Sequence, residues 1–329
     1  MSSGVKENVK PTLVLPNKQE MYEHWQKNAP KIKFGEHTLT IEISEEIDEF
    51  FVQKAKEELR ETPEVVAESL AEFKELLAGE PNLYLPDMDD IYKIFLRPCK
   101  WYPKSAFSLM KRYFRFRLNY PNIYSDLLIT KEKAAFHANL IYPLPLRTKE
   151  GSRILIMECG KRWKPKEVST YVFFRGLILI LFLAFVEHKT QIAGGHIILD
   201  AEGLSLGHVT YITPSFAKMM VEFIQKCLPF RLKGIHIVNQ SFIFNMVFTI
   251  FKPFLEEKIR KRIHFHGTNW ESLRASLVAD KKTILKKHGG DMELPEGPYG
   301  EMLWQNMLSC APAYEADQQY GYVTEKEKM

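Results

Sequence analysis

Residues 176–186 read GLILILFLAFV, eleven apolar residues in succession, preceded by Arg175 and closed by Glu187-His188-Lys189. A bilayer crossing needs roughly 18 or more such residues. Extending the run backwards through Tyr171-Val172-Phe173-Phe174 places the Arg175 charge inside the membrane. No second hydrophobic segment stands nearby to pair with it. A helix apolar on every side is instead buried within protein. The stretch therefore predicts a core helix, or one wall of an apolar cavity, inside a folded domain.

The surrounding chain fits that reading. Its 329 residues are 45% hydrophobic and 26% charged, ordinary proportions for a globular protein, and give room for two modest domains. A net charge of +4 is too small for a nucleic-acid binder but leaves room for a local basic patch. Cys99, Cys159, Cys227 and Cys310 are too widely spaced for any CxxC motif and are expected as reduced thiols. The opening MSSGVKENVKPTLVLP has neither the apolar run of a signal peptide nor a myristoylation pattern. A cytoplasmic protein is the expectation.

On either side of the apolar run the rhythm differs. Residues 1–43, interrupted by Pro11, Pro16 and Pro30, read as a lead-in. Residues 44–78 are rich in Glu, Lys, Ala and Leu and predict two helices broken at Thr62-Pro63. Helices over 87–96 and 102–119 complete a helical bundle spanning 44–125. From about 150, short apolar strands at 153–157, 196–200, 234–238 and 262–266 alternate with helices. One helix opens at Thr213-Pro214 with a stripe of Phe216, Met219, Met220, Phe223, Ile224 and Cys227; the next begins at Ser241. Thr268-Asn-Trp-Glu271 reads as a capping box. Such alternation predicts an α/β domain with a mainly parallel sheet over 129–294. The remainder, 295–329, is a Pro-, Gly- and Glu-rich tail expected to wrap the surface.

Candidate catalytic groups are weak. Gly203-Leu-Ser205-Leu-Gly207 matches the G-x-S-x-G nucleophile elbow, but the next helix starts no earlier than Thr213, which leaves Ser205 in a loop without the strained strand-turn-helix geometry. His264 and His266 share one strand face, yet no Cys, Asp or Glu stands at ligand spacing beside them, so no metal is expected. No phosphate-binding glycine loop is present. No catalytic residue is assigned, and a serine hydrolase using Ser205 is kept as the alternative from another class.

Several pieces carry a resemblance: Phe95-Leu-Arg97, Asp200-Ala-Glu-Gly203, Ile212-Thr-Pro-Ser215, Gly234-Ile-His236, Val238-Asn239, and above all KPFLEEKIRKRIHFHG over 252–267. In this order, over about 90–290, they are similar to the CRAL-TRIO lipid-transfer family, particularly its tocopherol-transfer and retinaldehyde-binding branches. The resemblance implies a helical bundle followed by an α/β domain, with one lipid held between the sheet and a mobile gate helix. The implied ligand lining is Phe174, Leu177, Leu181, Ile212, Met220, Phe223, Ile224, Leu232 and Ile235. The implied gate residues are Phe244, Val247, Phe248 and Phe251, and no cofactor is expected beyond the lipid.

Leu177 and Leu181 stand where the tocopherol branch carries two small hydroxyl side chains. A buried hydroxyl without a partner costs about 1–3 kcal/mol, so the ligand expected here is a more apolar isoprenoid, such as a retinoid or carotenoid. Arg231, Lys258 and Arg262 match the family's phosphoinositide contacts, with Lys258 and Arg262 expected on one helical face. A fourth basic contact is replaced by Cys99, with Lys100 next to it. The expected protein is a monomeric carrier that docks reversibly on phosphoinositide membranes. A phosphatidylinositol or phosphatidylcholine transfer protein is the alternative within the class.

Overall fold

The computed structural model describes residues 31–44 and 46–323, together with 23, 27 and 28; the rest of the 1–43 lead-in, and residues 324–329, lie outside the described residues. From residue 31 the described chain forms a hairpin, β1 (Ile32–Phe34) and β2 (His37–Leu39). Helix α1 (Glu49–Leu59) is capped by Asp48, whose side chain accepts from Phe51 N, and α2 (Pro63–Ala78) is capped by Thr62 with proline in its first turn. After β3 (Leu83–Tyr84) come α3 (Asp89–Leu96) and α4 (Pro103–Asn119). Phe73 of α2 meets the rings of Tyr92 and Phe107, and Phe95 those of Tyr113 and Phe114. The bundle is therefore stitched by aromatics.

Five strands form the main sheet in the order β4 (Ile141–Pro143), β5 (Arg153–Glu158), β6 (Gly195–Asp200), β7 (Leu232–Val238) and β8 (Ile263–Gly267). β4 runs antiparallel to β5; the other pairs are parallel. Its Pro143 is tolerated because the strand is an edge. Between β5 and β6 lie α5 (Thr170–Val186) and α6 (His188–Ala193). α7 (Pro214–Glu222), extended by a π turn through Cys227, precedes β7, and α8 (Phe242–Phe251) precedes β8. Because the strand order never reverses, right-handed crossovers place all these connections on one face of the sheet. The odd-numbered strand residues Met157, Ile197, Leu199, Ile235 and Ile237 face them.

The opening question is answered in part by α5. Eleven of its seventeen residues are buried, and it is about 26 Å long at 1.5 Å per residue, short of a hydrocarbon core. Among the described residues no helix is long and apolar enough to cross a membrane. Arg175 is accommodated by a local cage. It donates to the carbonyl oxygens of Ile123, Ser125 and Asp126 and pairs with the buried Glu132 carboxylate at 2.5 Å. Gly176 lets the short helix Lys133–His137 approach, since a Cβ there would sit 2.6 Å from Ala135 Cβ.

Three expectations need correction. The 295–329 tail does not merely wrap the surface. α10 (Tyr299–Leu308) and α11 (Ala311–Asp317), which follow α9 (Trp270–Leu277), bury Leu303, Met307, Cys310 and Tyr314, and β9 (Gly321–Tyr322) pairs with β3. The cap of α9 is Asn269, whose side chain accepts from Ser272 N, one residue beyond the expected Thr268. The helix carrying Lys258 runs only from Glu257 to Arg260, so Arg262, in the turn just before β8, is not on its face.

Candidate functional site

Between the sheet and its helices lies an apolar cavity of about 180 Å³. Its floor is Met157, Ile197, Leu199, Ile235, Ile237 and Ile263. Phe173 and Leu177 of α5 and Phe216, Met220 and Ile224 of the α7 segment make its walls. Its roof is α8, through Phe244, Val247, Phe248 and Phe251. At the wall, Gln225 donates to Phe254 O and accepts from Glu256 N, and Trp163 Nε1 donates to Val168 O. Burial, reinforced by the Asp200 and Glu158 charges, pushes the Cys159 thiol up to about 12, so it stays protonated. A space lined this way stays dry and favours an apolar guest.

A second cavity of about 90 Å³ adjoins the first, and Leu177, Ile197 and Ile224 border both. Of the nine expected lining residues, Ile212, Met220 and Ile235 face the first space; Leu181, Phe223 and Leu232 face the second; Leu177 and Ile224 face both. Phe174 does neither. It is fully buried with its ring against Phe216 and Phe223.

The roof packs in a cluster of its own. Phe244 and Val247 are buried with Ala201, Leu204 and Ile237 in a small cluster separate from the main core. Phe248 and Phe251 are half-buried, and Phe242 at 73% and Met246 at 37% exposure face solvent. A helix that exposes apolar side chains such as Phe242 and Met246 on its outer side suits contact with an interface.

The basic residues fall around one end of the domain. Lys258 and Lys100 are exposed, and Lys258 is close enough to Cys99 for its charge, with that of Arg112, to act on that thiol, which burial raises to about 11. Arg262 is half-buried, and desolvation together with the neighbouring Arg231 charge lowers its pKa. Arg231 is committed, donating to Glu58 at 2.6 Å and to Ile192 O. Glu58 takes Lys54 and Lys233 as well; burial works to raise its carboxyl, but these cations hold it at about 2.

A helical turn starts directly after Ser205, which corrects the expectation of no helix before Thr213. Ser205 is the N-cap of the short helix Leu206–Val209 and forms a capping box with His208, whose Nδ1 accepts from Ser205 N and lies 2.8 Å from its Oγ. His208 Nε2 is turned to Trp163 O. Those bonds cap the helical turn, and Nε2 faces a backbone carbonyl instead of an acid. Histidines of β6, β7 and β8 form a ladder on the opposite face of the sheet. His196 Nδ1 meets His236 Nε2 at 2.9 Å, His236 Nδ1 meets His266 Nε2 at 3.0 Å, and His266 Nδ1 meets Ser272 Oγ. Burial lowers the pKa of His196 to about 4 and that of His236 to about 2, so these rings stay neutral and serve one another as partners. Among the described residues no group of three His, Cys, Asp or Glu can hold a metal.

Residues outside the expected set complete the site. Leu39, Thr40 and Ile41, from the lead-in, line the second cavity. Their signal was present in the alternation of His37-Thr-Leu-Thr-Ile-Glu-Ile43, where Leu39, Ile41 and Ile43 are buried.

Comparison with known proteins agrees with this architecture. Residues 137–290 match the family model of the CRAL/TRIO domain. An alpha-tocopherol transfer protein-like protein of Mus musculus is 30% identical over 245 residues, 74% of this chain and 71% of that protein. Clavesin-1 of Mus musculus is 26% identical over 317 residues, 95% of this chain and 85% of that protein. A crystal structure of Sfh5 aligns with a TM-score of 0.45 at 17% identity, covering 66% of this chain and 82% of that one. The chain belongs to the CRAL/TRIO family of lipid-binding and transfer proteins.

Proposed function

We propose that this protein is a cytoplasmic carrier for one apolar isoprenoid-like lipid, a retinoid, carotenoid or tocopherol-like molecule, released at phosphoinositide-bearing membranes. The observation that carries the reading is a cavity walled by aliphatic and aromatic side chains directly beneath α8. A phospholipid headgroup would need polar partners in that space, and the one amide at its wall, Gln225, is already engaged. The gate residues Phe244, Val247, Phe248 and Phe251 close the chamber over the ligand and swing out at the membrane, where the exposed Phe242 enters first. Mass spectrometry of lipid extracted from the natively purified protein tests this directly. A single apolar lipid at near-equal stoichiometry is expected; an empty chamber or a diacyl phospholipid overturns the reading.

The membrane contact rests on Lys100, Lys258 and Arg262, because Arg231 is held by Glu58. Each cation near an anionic surface contributes about 1 kcal/mol. Lys258→Glu with Arg262→Glu is therefore expected to slow transfer to phosphoinositide vesicles at least about tenfold, with bound lipid unchanged and transfer to neutral vesicles unaffected. Equal transfer by variant and natural protein would remove the basic residues from the mechanism.

A further inference from the structure

We infer that the ligand chamber has a second, rear lobe whose end wall is the lead-in segment Leu39–Ile41, and that this lobe takes the methyl-terminated tail of a single-chain lipid. The inference rests on the carrier reading above and concerns which lipid is carried.

Three observations point to it. The two cavities share Leu177, Ile197 and Ile224, so they meet at a common apolar neck. The front space lies under α8 towards the carboxyl ends of the strands, with Leu199 and Ile237 in its floor. The rear space reaches their amino ends at Gly195 and Leu232. Along β6 the floor from Gly195 to Leu199 covers about 13 Å at 3.3 Å per residue, which suits one extended tail and not a bulky head.

The end wall is clamped where the chain would otherwise be an open edge. Arg153 donates to Thr40 O at 2.9 Å, Glu42 N donates to Glu187 at 2.9 Å, and Arg147 bonds Glu42 at 2.8 Å. Glu187 and Arg153 also border the rear space, but they are spent on each other and on their neighbours. One Glu187 oxygen accepts from Arg153 and Glu42 N, the other from Arg153, Thr190 and Arg147. Arg153 gives its remaining guanidinium nitrogen to Pro145 O. Neither charged group of this wall is free to receive a hydroxyl or carboxylate at the tail end, and burying one unpaired is unfavourable. A methyl-terminated tail, which asks for no polar partner, is therefore what this lobe takes.

The test is chain-length dependence in the full-length protein. Displacement of fluorescent cis-parinaric acid by isoprenoid alcohols of ten and twenty carbons gives their affinities. Ile41→Trp fills the rear lobe from the end wall and Ala184→Phe fills it from α5, so the result does not hang on one variant folding. Each methylene that loses its burial weakens binding about fourfold. Both variants are expected to weaken the twenty-carbon alcohol at least about tenfold while the ten-carbon alcohol stays within about twofold, which also shows that the fold is intact. Parallel weakening of both alcohols, or no change in either, overturns the rear lobe alone. Failure of the natural protein to bind either alcohol overturns the carrier reading and the rear lobe with it.

Discussion

Glu187→Gln is expected to lower the free energy of unfolding by about 3–5 kcal/mol at pH 7, the usual cost of removing one partner from a buried ion pair. Glu187 is 4% exposed and takes hydrogen bonds from Arg153, Arg147, Thr190 and the backbone of Glu42. With a neutral amide there, Arg153 at 9% exposure keeps only Glu42 as a counter-charge, 4.0 Å away. Burial works to raise the Glu187 carboxyl, but the two guanidinium groups prevail and hold it at about 2, below its ordinary 4.5. A depressed carboxyl contributes stability above its unfolded value and loses it as pH falls through the folded one. The gap between variant and natural protein should therefore be full at neutral pH and shrink between about pH 4.5 and 2. Urea midpoints followed by circular dichroism at several pH values read this out. A gap that stays constant with pH would show that packing, not charge, holds the site.

The same cluster shows where sequence patterning was informative and where it was not. The apolar run of α5 excluded a membrane span because Arg175 interrupts it, and the cage of carbonyls around that guanidinium is the physical reason an arginine is tolerated there. Short continuous apolar runs located β5, β6 and β7 to within two residues, since strands of a buried parallel sheet carry dense apolar runs. Long-range ion pairs are invisible to such patterns. Nothing local to Glu42 marks it as a partner of Arg147, 105 residues away. The tail was misjudged because its proline, glycine and glutamate content near 291–301 outweighed a plain stripe of Leu303, Met307, Cys310 and Tyr314. Lys258 and Arg262 have helical spacing, but the chain leaves the helix at Arg260 to enter β8. In the chamber, eight of the nine expected lining positions border empty space, and Phe174 fails because the rings of Phe216 and Phe223 already occupy its surroundings.

Val247→Asp is expected to cost the protein its lipid, lowering ligand affinity at least about 100-fold, with little change in overall thermal stability. Val247 is 7% exposed and points into a space whose only nearby amide is occupied. An ionised carboxylate buried there without a partner costs several kcal/mol, which opening of the helix to solvent relieves. α8 therefore stays open. The main core should survive, because Phe244 and Val247 belong to a small cluster apart from the one that joins the bundle to α5 and the sheet. Desolvation raises the pKa of a carboxyl, so mild acid should neutralise the introduced aspartate and let the helix close again. Lipid retained through gel filtration, measured from pH 7.5 down to 5, distinguishes this from unfolding: retention should be lost at the upper end and recover at the lower. If the variant keeps its lipid at neutral pH while remaining folded, α8 is not the barrier between chamber and solvent.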